Sequence, residues 1–375
     1  MANMERILIV RGGIAGLTVA RALHLQGFRA ELVERSPSWH AIGAAFQLHA
    51  NGMRVLHALG LGEAVEQAGV VIRHWMYCDQ SGEVLFETDL EELWGEVGPC
   101  IAIDRPRLQQ ILVSGATTVP CRLGIAVASL SQDEQRVQVG FSDGSTCDYD
   151  LVVGADGISS TVRQLLMGTV QPGYTGAMIW RSLVPVPPPD ATNFRVMLGD
   201  GCFFGITPLL DGPTNVFGAV GMPRTHDPVP GRLARRRKRF AGFGRHVQEC
   251  LAAISSDEQI HCGPIEEVNL DHWHRGRVVL IGDAAHAGAP TMAQAGIMAM
   301  EDAYVLTEVL LRAETVERAL DSYETRRKPR ATWVQQQSRG LLESILVPPT
   351  LRNPAFRERG NQGMHDSFAP LIPEP

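Results

Sequence analysis

The sequence predicts an α/β fold, in which a parallel sheet carries helices, an antiparallel sheet is inserted into this frame, and further helices follow. Apolar, β-branched runs of the kind found in buried parallel strands lie at residues 7–10 and within 146–153 and 277–281, and each leads into a glycine-containing turn. Residues 173–221 combine proline clusters with short alternating runs, which favours an inserted antiparallel sheet. Helical spacing of apolar residues returns at 298–311 and 319–346.

The first apolar run begins a strand–turn–helix–strand unit. Residues 7–10 are followed by the turn RGGIAG at 11–16 and by a helix that Gly27 ends. A second strand at 30–34 finishes on a glutamate. This order of elements is the Rossmann-like, dinucleotide-binding fingerprint, and we therefore predict nucleotide binding at the turn.

Each residue of the fingerprint has a physical task. Gly13 leaves room for a pyrophosphate, and Gly16 lets the helix approach the strand. The free N–H groups and the positive end of the helix dipole attract the phosphates. Glu34 follows at about the 20-residue spacing at which a carboxylate accepts hydrogen bonds from ribose hydroxyls.

The turn departs from the fingerprint at its first glycine, because Arg11 occupies that position. The glycine serves the tight turn. Arg11 could be tolerated with its side chain bent to solvent, it could weaken cofactor binding, or it could place a guanidinium beside the pyrophosphate. Of these three interpretations we favour tolerance.

Composition narrows the class of protein. The 375 residues carry a net charge of -7, with 20% charged and 45% hydrophobic residues, so neither a basic nucleic-acid-binding surface nor disorder is indicated. Seven cysteines without a CxxC favour reduced thiols, a cytoplasmic location and no metal site. The N-terminal apolar run is too short for a signal peptide or a membrane span. The basic run 232–239 is interpreted as a solvated helix face, and His272-Trp273-His274 as a surface turn.

The rest of the chain predicts an alternation of elements. In chain order we expect a loop over 36–51 containing Gly43-Ala44-Ala45, a helix over 53–66, a hairpin within 70–88, a helix after Arg105, strands within 123–139 and 146–153, a helix after Gly157, and a mostly helical stretch 233–254 weakened at Gly242 and Gly244. After Pro348 the tail is rich in Pro, Asn, Arg and Gly, and we expect it to be loosely packed.

Three glycine-acid turns in this order make the chain resemble a known family. The matching stretches are GGIAGL at 12–17, GADG at 154–157 with Ser160, Val162 and Arg163, and GDAAH at 282–286 with Pro290, Gln294 and Glu301-Asp302-Ala303. Over roughly residues 5–340 the sequence resembles the single-component FAD-dependent aromatic hydroxylases, the group of p-hydroxybenzoate and salicylate hydroxylases.

The resemblance implies tightly but non-covalently bound FAD and assigns residues to it. Gly13, Ile14, Ala15 and Gly16 would hold the pyrophosphate, and Glu34 and Arg35 would lie at the adenosine ribose. Arg105 would reach the flavin chain, and Asp283 would accept from hydroxyls of the ribityl or pyrophosphate side. Asp156 and Arg163 would serve FAD and transient NAD(P)H, although a local ion pair explains both equally well. For Arg105 a surface cation and for Asp283 a helix cap are the alternatives.

The loop at 290–298 would face the flavin ring by the same resemblance. Backbone N–H groups of this loop, which includes Pro290, Ala295, Gly296 and Ile297, would stabilise negative charge on the reduced flavin. Family members have glycine directly after the Gln, whereas this chain has Ala295 and then Gly296. The turn could therefore shift by one residue.

The implied reaction is a hydroxylation. NAD(P)H would reduce FAD, O2 would add to form a flavin hydroperoxide, and its distal oxygen would attack a small aromatic or heteroaromatic substrate. No second GxGxxG exists for a separate nicotinamide domain. An oxidase or dehydrogenase on the same frame, or a cofactor-poor non-catalytic member, are the alternatives. The protein would be a monomer or homodimer without nucleic-acid or membrane partners.

The substrate should lie between the inserted sheet and the flavin. Candidate wall residues are Trp180, Arg181, Phe204, Phe217 and Met222. Arg181 would suit a substrate carboxylate or form a structural salt bridge. His49 is either a general base or a residue with a surface or packing role.

These assignments predict a discontinuous domain arrangement. Residues 1–72, 98–172 and 268–345 form the FAD-binding domain, residues 73–97 and 173–267 form the substrate-binding sheet domain, and residues 346–375 form the C-terminal tail.

Overall fold

A computed structural model describes residues 4–39 and 45–375. Its strands are β1 (Ile7–Val10), β2 (Ala30–Glu34), β3 (Ala45–Leu48), β4 (Val70–Ile72), β5 (His74–Asp79), β6 (Val84–Asp89), β7 (Cys100–Asp104), β8 (Cys121–Leu123), β9 (Val127–Gln132), β10 (Val137–Phe141), β11 (Thr146–Tyr149), β12 (Leu151–Gly154), β13 (Gly173–Val184), β14 (Asn193–Leu198), β15 (Cys202–Pro208), β16 (Thr214–Gly221), β17 (His261–Glu267), β18 (His274–Arg275) and β19 (Val278–Leu280). Its α-helices are α1 (Ile14–Leu25), α2 (Ala50–Ala58), α3 (Gly62–Ala68), α4 (Leu90–Trp94), α5 (Arg105–Gly115), α6 (Thr161–Met167), α7 (Arg232–Arg239), α8 (Arg245–Ala253), α9 (Asp283–His286), α10 (Ala295–Arg312), α11 (Val316–Leu346) and α12 (Pro349–Phe368).

A six-stranded sheet forms the α/β frame, in the order β18-β19-β12-β1-β2-β8. All neighbours pair in parallel except β18 and β19. The chain passes from β1 through α1 to β2 on one side, whereas β12 pairs on the other side of β1. The strand order thus reverses between β1 and β12, and in such sheets ligands bind outside the carboxyl ends of the strands at this switch point.

The inserted sheet has seven strands in the order β17-β13-β16-β15-β14-β5-β6, antiparallel except for β14 and β5. Side chains alternate between its two faces. On one face Phe204 packs against Phe240 and Phe243, which follow α7 along the chain, with ring centroids 5.4 and 6.5 Å away. On the other face Phe217 lies 5.9 Å from Phe194. The α/β class with an inserted, largely antiparallel sheet is confirmed; the domain boundaries stay a prediction.

The prediction that the C-terminal tail is loosely packed was wrong. Residues 349–368 form α12, and Phe368 is fully buried. Arg352 is 2% exposed and donates to the carbonyl oxygens of Gly199 and Ile345 at 2.7 and 2.8 Å. Gly360 faces the ring of Phe86 so closely that a Cβ would clash. Tertiary contacts therefore hold a helix that its composition disfavours.

Two predictions for the N-terminal part of the chain, the loop at 36–51 and the helix at 53–66, were wrong in detail. Part of the expected loop at 36–51 is the strand β3, while Gly43 and Ala44 lie outside the described residues. The expected helix over 53–66 is two helices, α2 and α3, because Gly60 has a φ of 71° and breaks the first.

Two surface predictions were also wrong in part. The basic run is α7, but Arg236 is 2% exposed and its guanidinium lies 5.7 Å from the centroid of the Phe204 ring. One side of a short helix must face the sheet on which it packs, even when nearly every residue is cationic. In the triplet 272–274, Trp273 is buried and its ring lies 4.8 Å from that of His286.

Within 4–39 and 45–375, no helix combines the length and the apolar character needed to cross a membrane.

Candidate functional site

The turns after β1, β12 and β19 lie side by side at one edge of the parallel sheet. Val10 is paired with Gly154, and Gly154 with Leu280, so the three strands end at the same level. Gly282 has a φ of 59°, and a Cβ there would lie 2.8 Å from Ala299 of α10 and 3.3 Å from Ala15 of α1. Two helices thus converge on the third turn, and the sequence prediction that the turns belong to one site fits this geometry.

The first turn has the shape that a nucleotide diphosphate requires. Among the residues that the structure describes, no heavy atom other than those of its chain neighbours lies within 4 Å of the position that a Cβ on Gly13 would take. A Cβ on Gly16, by contrast, would clash with the carbonyl oxygen of Arg11, which explains the close packing of α1 on the turn. The helix begins at Ile14, and its first N–H groups have no acceptor within the helix, so they are available to an anion. The turn therefore fits FAD.

Glu34 lies directly beside this turn. It is 6% exposed, and its carboxylate accepts hydrogen bonds from the backbone N–H groups of Gly12 and Ser36, both at 2.9 Å. The next residue, Arg35, is exposed. The carboxylate thus joins the end of β2 to the glycine turn, at the place where a ribose would follow the diphosphate.

Arg11 retains the backbone of the glycine that it replaces. Its φ is 82°, in the left-handed region that costs a residue with a side chain about 1–2 kcal/mol. The side chain is not bent to solvent, as the favoured interpretation had it: it is half-buried, and Nη1 donates to the carbonyl oxygen of Asp156 at 2.7 Å. Arg11 therefore bridges the turns after β1 and β12.

Asp156 and Arg163 have separate tasks and form no salt bridge with each other within the described ranges. The Asp156 carboxylate caps α6 by accepting from the backbone N–H groups of Thr161 and Val162 at 2.7 and 3.0 Å. Arg163 is fully buried and donates to the carbonyl oxygen of Ala284 at 3.0 Å. The local ion pair is thus not the explanation, and Arg163 instead ties the second turn to the third.

Arg105 and Arg181 lie near these turns, since the charge of Arg105 interacts with those of Arg11, Asp283 and Arg181. Burial lowers the pKa of the Arg105 guanidinium, the carboxylate of Asp283 opposes the change, and the positive charge of Arg11 adds to it. Burial also lowers the pKa of Arg181, and the charge of Arg105 lowers it further. Arg105 nevertheless has substantial solvent exposure, so its side chain is accessible to a ligand. In the part of the chain that the structure describes, neither Arg105 nor Arg181 has a salt-bridge partner.

The loop before α10 forms a short 3₁₀ turn at Pro290–Met292. Ala293 then takes a left-handed φ of 54°, Gln294 is the N-cap, and α10 begins at Ala295. The left-handed position thus precedes Gln294. Gly296 faces the ring of Phe46 so closely that a Cβ would clash. The side chain of Ile297 is fully buried, and the backbone N–H groups in the first turn of α10 have no acceptor within the helix, so they could meet a ligand.

A buried polar network supports the start of α10. Asn51 donates to Gln294 at 3.0 Å and to Glu301 at 2.9 Å, and the amide of Gln294 donates back to Asn51 at 3.2 Å. Arg327 of α11, which is fully buried, donates to Glu301 at 2.8 Å and to Asp302 at 2.9 Å. Sequence reasoning missed Asn51 and Arg327, although the Glu301-Asp302 pair on the apolar side of a mostly apolar helix indicated that buried cations lie nearby.

His49 is packed in the protein interior, away from solvent. It is fully buried, and its ring centroid is 5.3 Å from that of Trp75 and 4.9 Å from that of Phe368. Burial lowers its pKa to about 3. This environment argues against the general-base role and favours the packing role.

Side chains along a β-strand alternate between the two faces of the sheet, so the five proposed wall residues lie on two different faces. Arg181 is paired with Phe217, and both belong to the face that carries Phe203 and Phe194. Trp180, Phe204 and Met222 belong to the opposite face, where they pack with residues around α7 and α8. Adjacent residues of one strand cannot point to the same side, so Trp180 and Arg181 cannot both line the site.

Comparison with known proteins decides the family. Residues 4–338 match the family model described as an FAD binding domain. The chain belongs to this family. The 3-amino-4-hydroxybenzoate 2-monooxygenase of Streptomyces cremeus is 35% identical over 358 residues, which cover 92% of this chain and 88% of that protein. The FAD-dependent urate hydroxylase of Klebsiella pneumoniae is 31% identical over 334 residues, which cover 86% and 85%.

A solved structure agrees with these relatives. Klebsiella pneumoniae HpxO complexed with FAD and uric acid matches with a TM-score of 0.90 at 27% identity, over 98% of each chain. The resemblance to FAD-dependent aromatic hydroxylases is therefore confirmed, and the protein is an FAD-dependent monooxygenase. The residues that hold FAD stay a prediction, which the open Gly13 turn and the adjacent Glu34 support.

Proposed function

We propose that this FAD-dependent monooxygenase uses NAD(P)H and O2 to hydroxylate a small aromatic or heteroaromatic substrate that carries an acidic group. FAD, when bound, accepts electrons from NAD(P)H and activates oxygen for transfer to the ring. The protein's own contribution is to bind both molecules, orient the substrate ring and exclude water.

The proposal of an acidic substrate rests on the guanidinium of Arg181, which has no salt-bridge partner among the residues that the structure describes. Arg181 is half-buried on the sheet face that includes Phe217, and the charge of Arg105 reaches it. Two cations that repel each other in a partly buried crevice are stabilised when an anion enters between or beside them. Arginine is also well suited to grip a carboxylate through two parallel hydrogen bonds.

Phe217 supplies the apolar part of the same wall. Its ring lies over Gly205, where a Cβ would clash with it, and next to Phe203 at a centroid distance of 6.1 Å. A flat aromatic substrate can pack on such a ring while its acidic group meets Arg181. The N–H groups at the start of α10 would stabilise negative charge on the flavin ring.

The names of two relatives agree with an acidic substrate. The Streptomyces cremeus protein acts on an aminohydroxybenzoate, which is a carboxylate, and the HpxO structure contains uric acid. For the present chain we propose the same chemical class, a small aromatic or heteroaromatic ring with an acidic group, and no single compound.

The test compares acids with neutral analogues of the same ring. The purified protein should show the visible spectrum of bound flavin, and hydroxybenzoates should stimulate NADH or NADPH consumption under air more than the matching hydroxybenzamides do. Arg181→Gln should raise KM for the acid by about 10-fold or more, because a charge-assisted hydrogen bond is worth about 1.5–3 kcal/mol, and should leave the neutral analogue unchanged.

Arg195→Gln is the matched control, since Arg195 lies in β14 with its side chain on the opposite face of the sheet. Reduction of the flavin by an aromatic substrate under anaerobic conditions, without nicotinamide, would instead identify a dehydrogenase or an oxidase. If hydroxybenzoates and hydroxybenzamides stimulated NADH or NADPH consumption equally, the proposed preference for an acidic substrate would be wrong.

A further inference from the structure

The side chain of Arg11 is not needed to build the turn in which it lies. With a φ of 82°, position 11 has a backbone that glycine adopts more readily than arginine. The carbonyl oxygen of Arg11, which contacts Gly16, would be present with any residue. A reason for arginine must therefore come from what its guanidinium contacts.

The guanidinium spans the switch point of the parallel sheet. Nη1 donates to the carbonyl oxygen of Asp156 at 2.7 Å and lies 3.0 Å from the position of a Cβ on Gly157. Arg11 follows β1 directly, and Asp156 and Gly157 follow β12, its neighbour. The crevice that this bridge adjoins is the one in which a diphosphate would meet the open Gly13 turn.

The positive charge of Arg11 is not neutralised within residues 4–39 and 45–375. Its hydrogen-bond acceptor is the carbonyl oxygen of Asp156, whereas the carboxylate of that residue caps α6. Its positive charge also acts on the nearby guanidinium of Arg105. An arginine has five N–H donors in a rigid fork, so the contact with Asp156 leaves others available.

We propose that Arg11 is a diphosphate-binding residue of this chain: anchored on the Asp156 carbonyl, its guanidinium adds a positive charge to the FAD site between β1 and β12. The proposal rests on the binding of FAD and is independent of the substrate. A bound phosphate would receive charge-assisted hydrogen bonds from a group that is already held in place.

This assignment separates FAD binding from folding. Because glycine relieves the left-handed backbone but loses the hydrogen bond to Asp156, Arg11→Gly should unfold at a temperature close to that of the wild type when both are free of FAD. The same variant should bind FAD at least 10-fold more weakly in 50 mM salt. A misfolded variant would lose this cooperative unfolding transition, so the two measurements together distinguish weaker FAD binding from a failure to fold.

The experiment measures the dissociation constant of FAD by the recovery of flavin fluorescence when the holoenzyme is diluted, at salt concentrations from 50 to 500 mM. Arg11→Gln should bind FAD at least 10-fold more weakly at low salt and show a shallower dependence on salt than the wild type. Arg11→Lys, which keeps the charge, should recover part of the affinity. Arg29→Gln is the matched control, because the exposed Arg29 precedes β2 at the opposite edge of the sheet.

Equal or tighter binding of FAD by Arg11→Gly and Arg11→Gln, with the wild type still binding FAD, would overturn the proposal. Equal losses in Arg11→Gln and Arg29→Gln would also overturn it, since net charge alone would then be responsible. A wild-type protein that binds no FAD would instead contradict the function itself, so the two failures are distinguishable.

Discussion

Arg327 and Asp302 form an ion pair that is fully removed from solvent, with Nε 2.9 Å from Oδ1. The other carboxylate oxygen accepts from the backbone N–H of Gly282 at 2.9 Å and lies 2.6 Å from Nε2 of His286. Burial alone would raise the pKa of Asp302, but His286 and Arg327 lower it to about 2. The pair therefore fixes the turn after β19 against both α10 and α11.

Removing the cation of this pair should be costly. Arg327→Met would leave Glu301 and Asp302 with one buried partner fewer each, so we expect the free energy of unfolding to fall by about 3–5 kcal/mol. Urea unfolding of the holoenzyme measures the change, and flavin fluorescence reports the loss of FAD. Arg318→Met is the control in the same helix, because the Arg318–Glu314 pair is exposed and should contribute less than about 1 kcal/mol. Similar stability of the two variants would contradict the prediction.

Features encoded in a short stretch of sequence were predicted, whereas contacts between residues distant in sequence were missed. The turns after β1 and β19 each follow a buried strand and contain their own glycine, so a short stretch of sequence sufficed. Arg327 was missed because it lies 25 residues from Asp302, and the pairing exists only once α11 packs on α10. The two faces of β13 could have been separated in advance, since the alternation that places Trp180 opposite Arg181 is already present in the sequence.

The buried imidazole of His49 should make the protein sensitive to acid. The folded state keeps His49 neutral down to a pKa of about 3, whereas the unfolded chain protonates it at its ordinary value of 6.5. The unfolded state therefore binds the extra proton as pH falls through this window, and stability should decrease by about 1.4 kcal/mol per pH unit below 6.5. His49→Leu should flatten this dependence in urea unfolding between pH 7 and 5. His57→Gln, at a partly exposed site, should retain it.

Gly205 should be intolerant of a side chain because of Phe217. The two residues face each other in β15 and β16, and a Cβ on Gly205 would clash with the Phe217 ring. Gly205→Ala should lower the free energy of unfolding by about 1–3 kcal/mol, the usual cost of overpacking. In a protein that already carries Phe217→Leu, adding Gly205→Ala should lower the free energy of unfolding by less than it does in the wild type, because the clashing ring is gone. Gly263→Ala in β17 meets open space and should cost less; equal losses for the two glycine variants would contradict the steric explanation.

Arg352 should hold the C-terminal helix on the inserted sheet. Its guanidinium is buried and donates to carbonyl oxygens of Leu198 and Gly199 at the end of β14, as well as to Ile345 of α11. Arg352→Met would leave these acceptors without their donor, and unsatisfied buried groups cost about 1–3 kcal/mol each. We therefore expect α12 to detach before the rest of the chain unfolds, with faster hydrogen exchange confined to residues 349–371.

A matched variant separates this docking role from the general effect of losing a charge. Arg357 lies in the same helix, but its salt bridge with Glu83 is exposed on both sides, so Arg357→Met should leave hydrogen exchange in α12 unchanged. Phe368 also packs on His49 at a centroid distance of 4.9 Å. Detachment of α12 would therefore expose His49, and Arg352→Met should weaken the acid sensitivity predicted for that residue. Wild-type exchange rates in Arg352→Met would show that α12 is held by its apolar contacts alone.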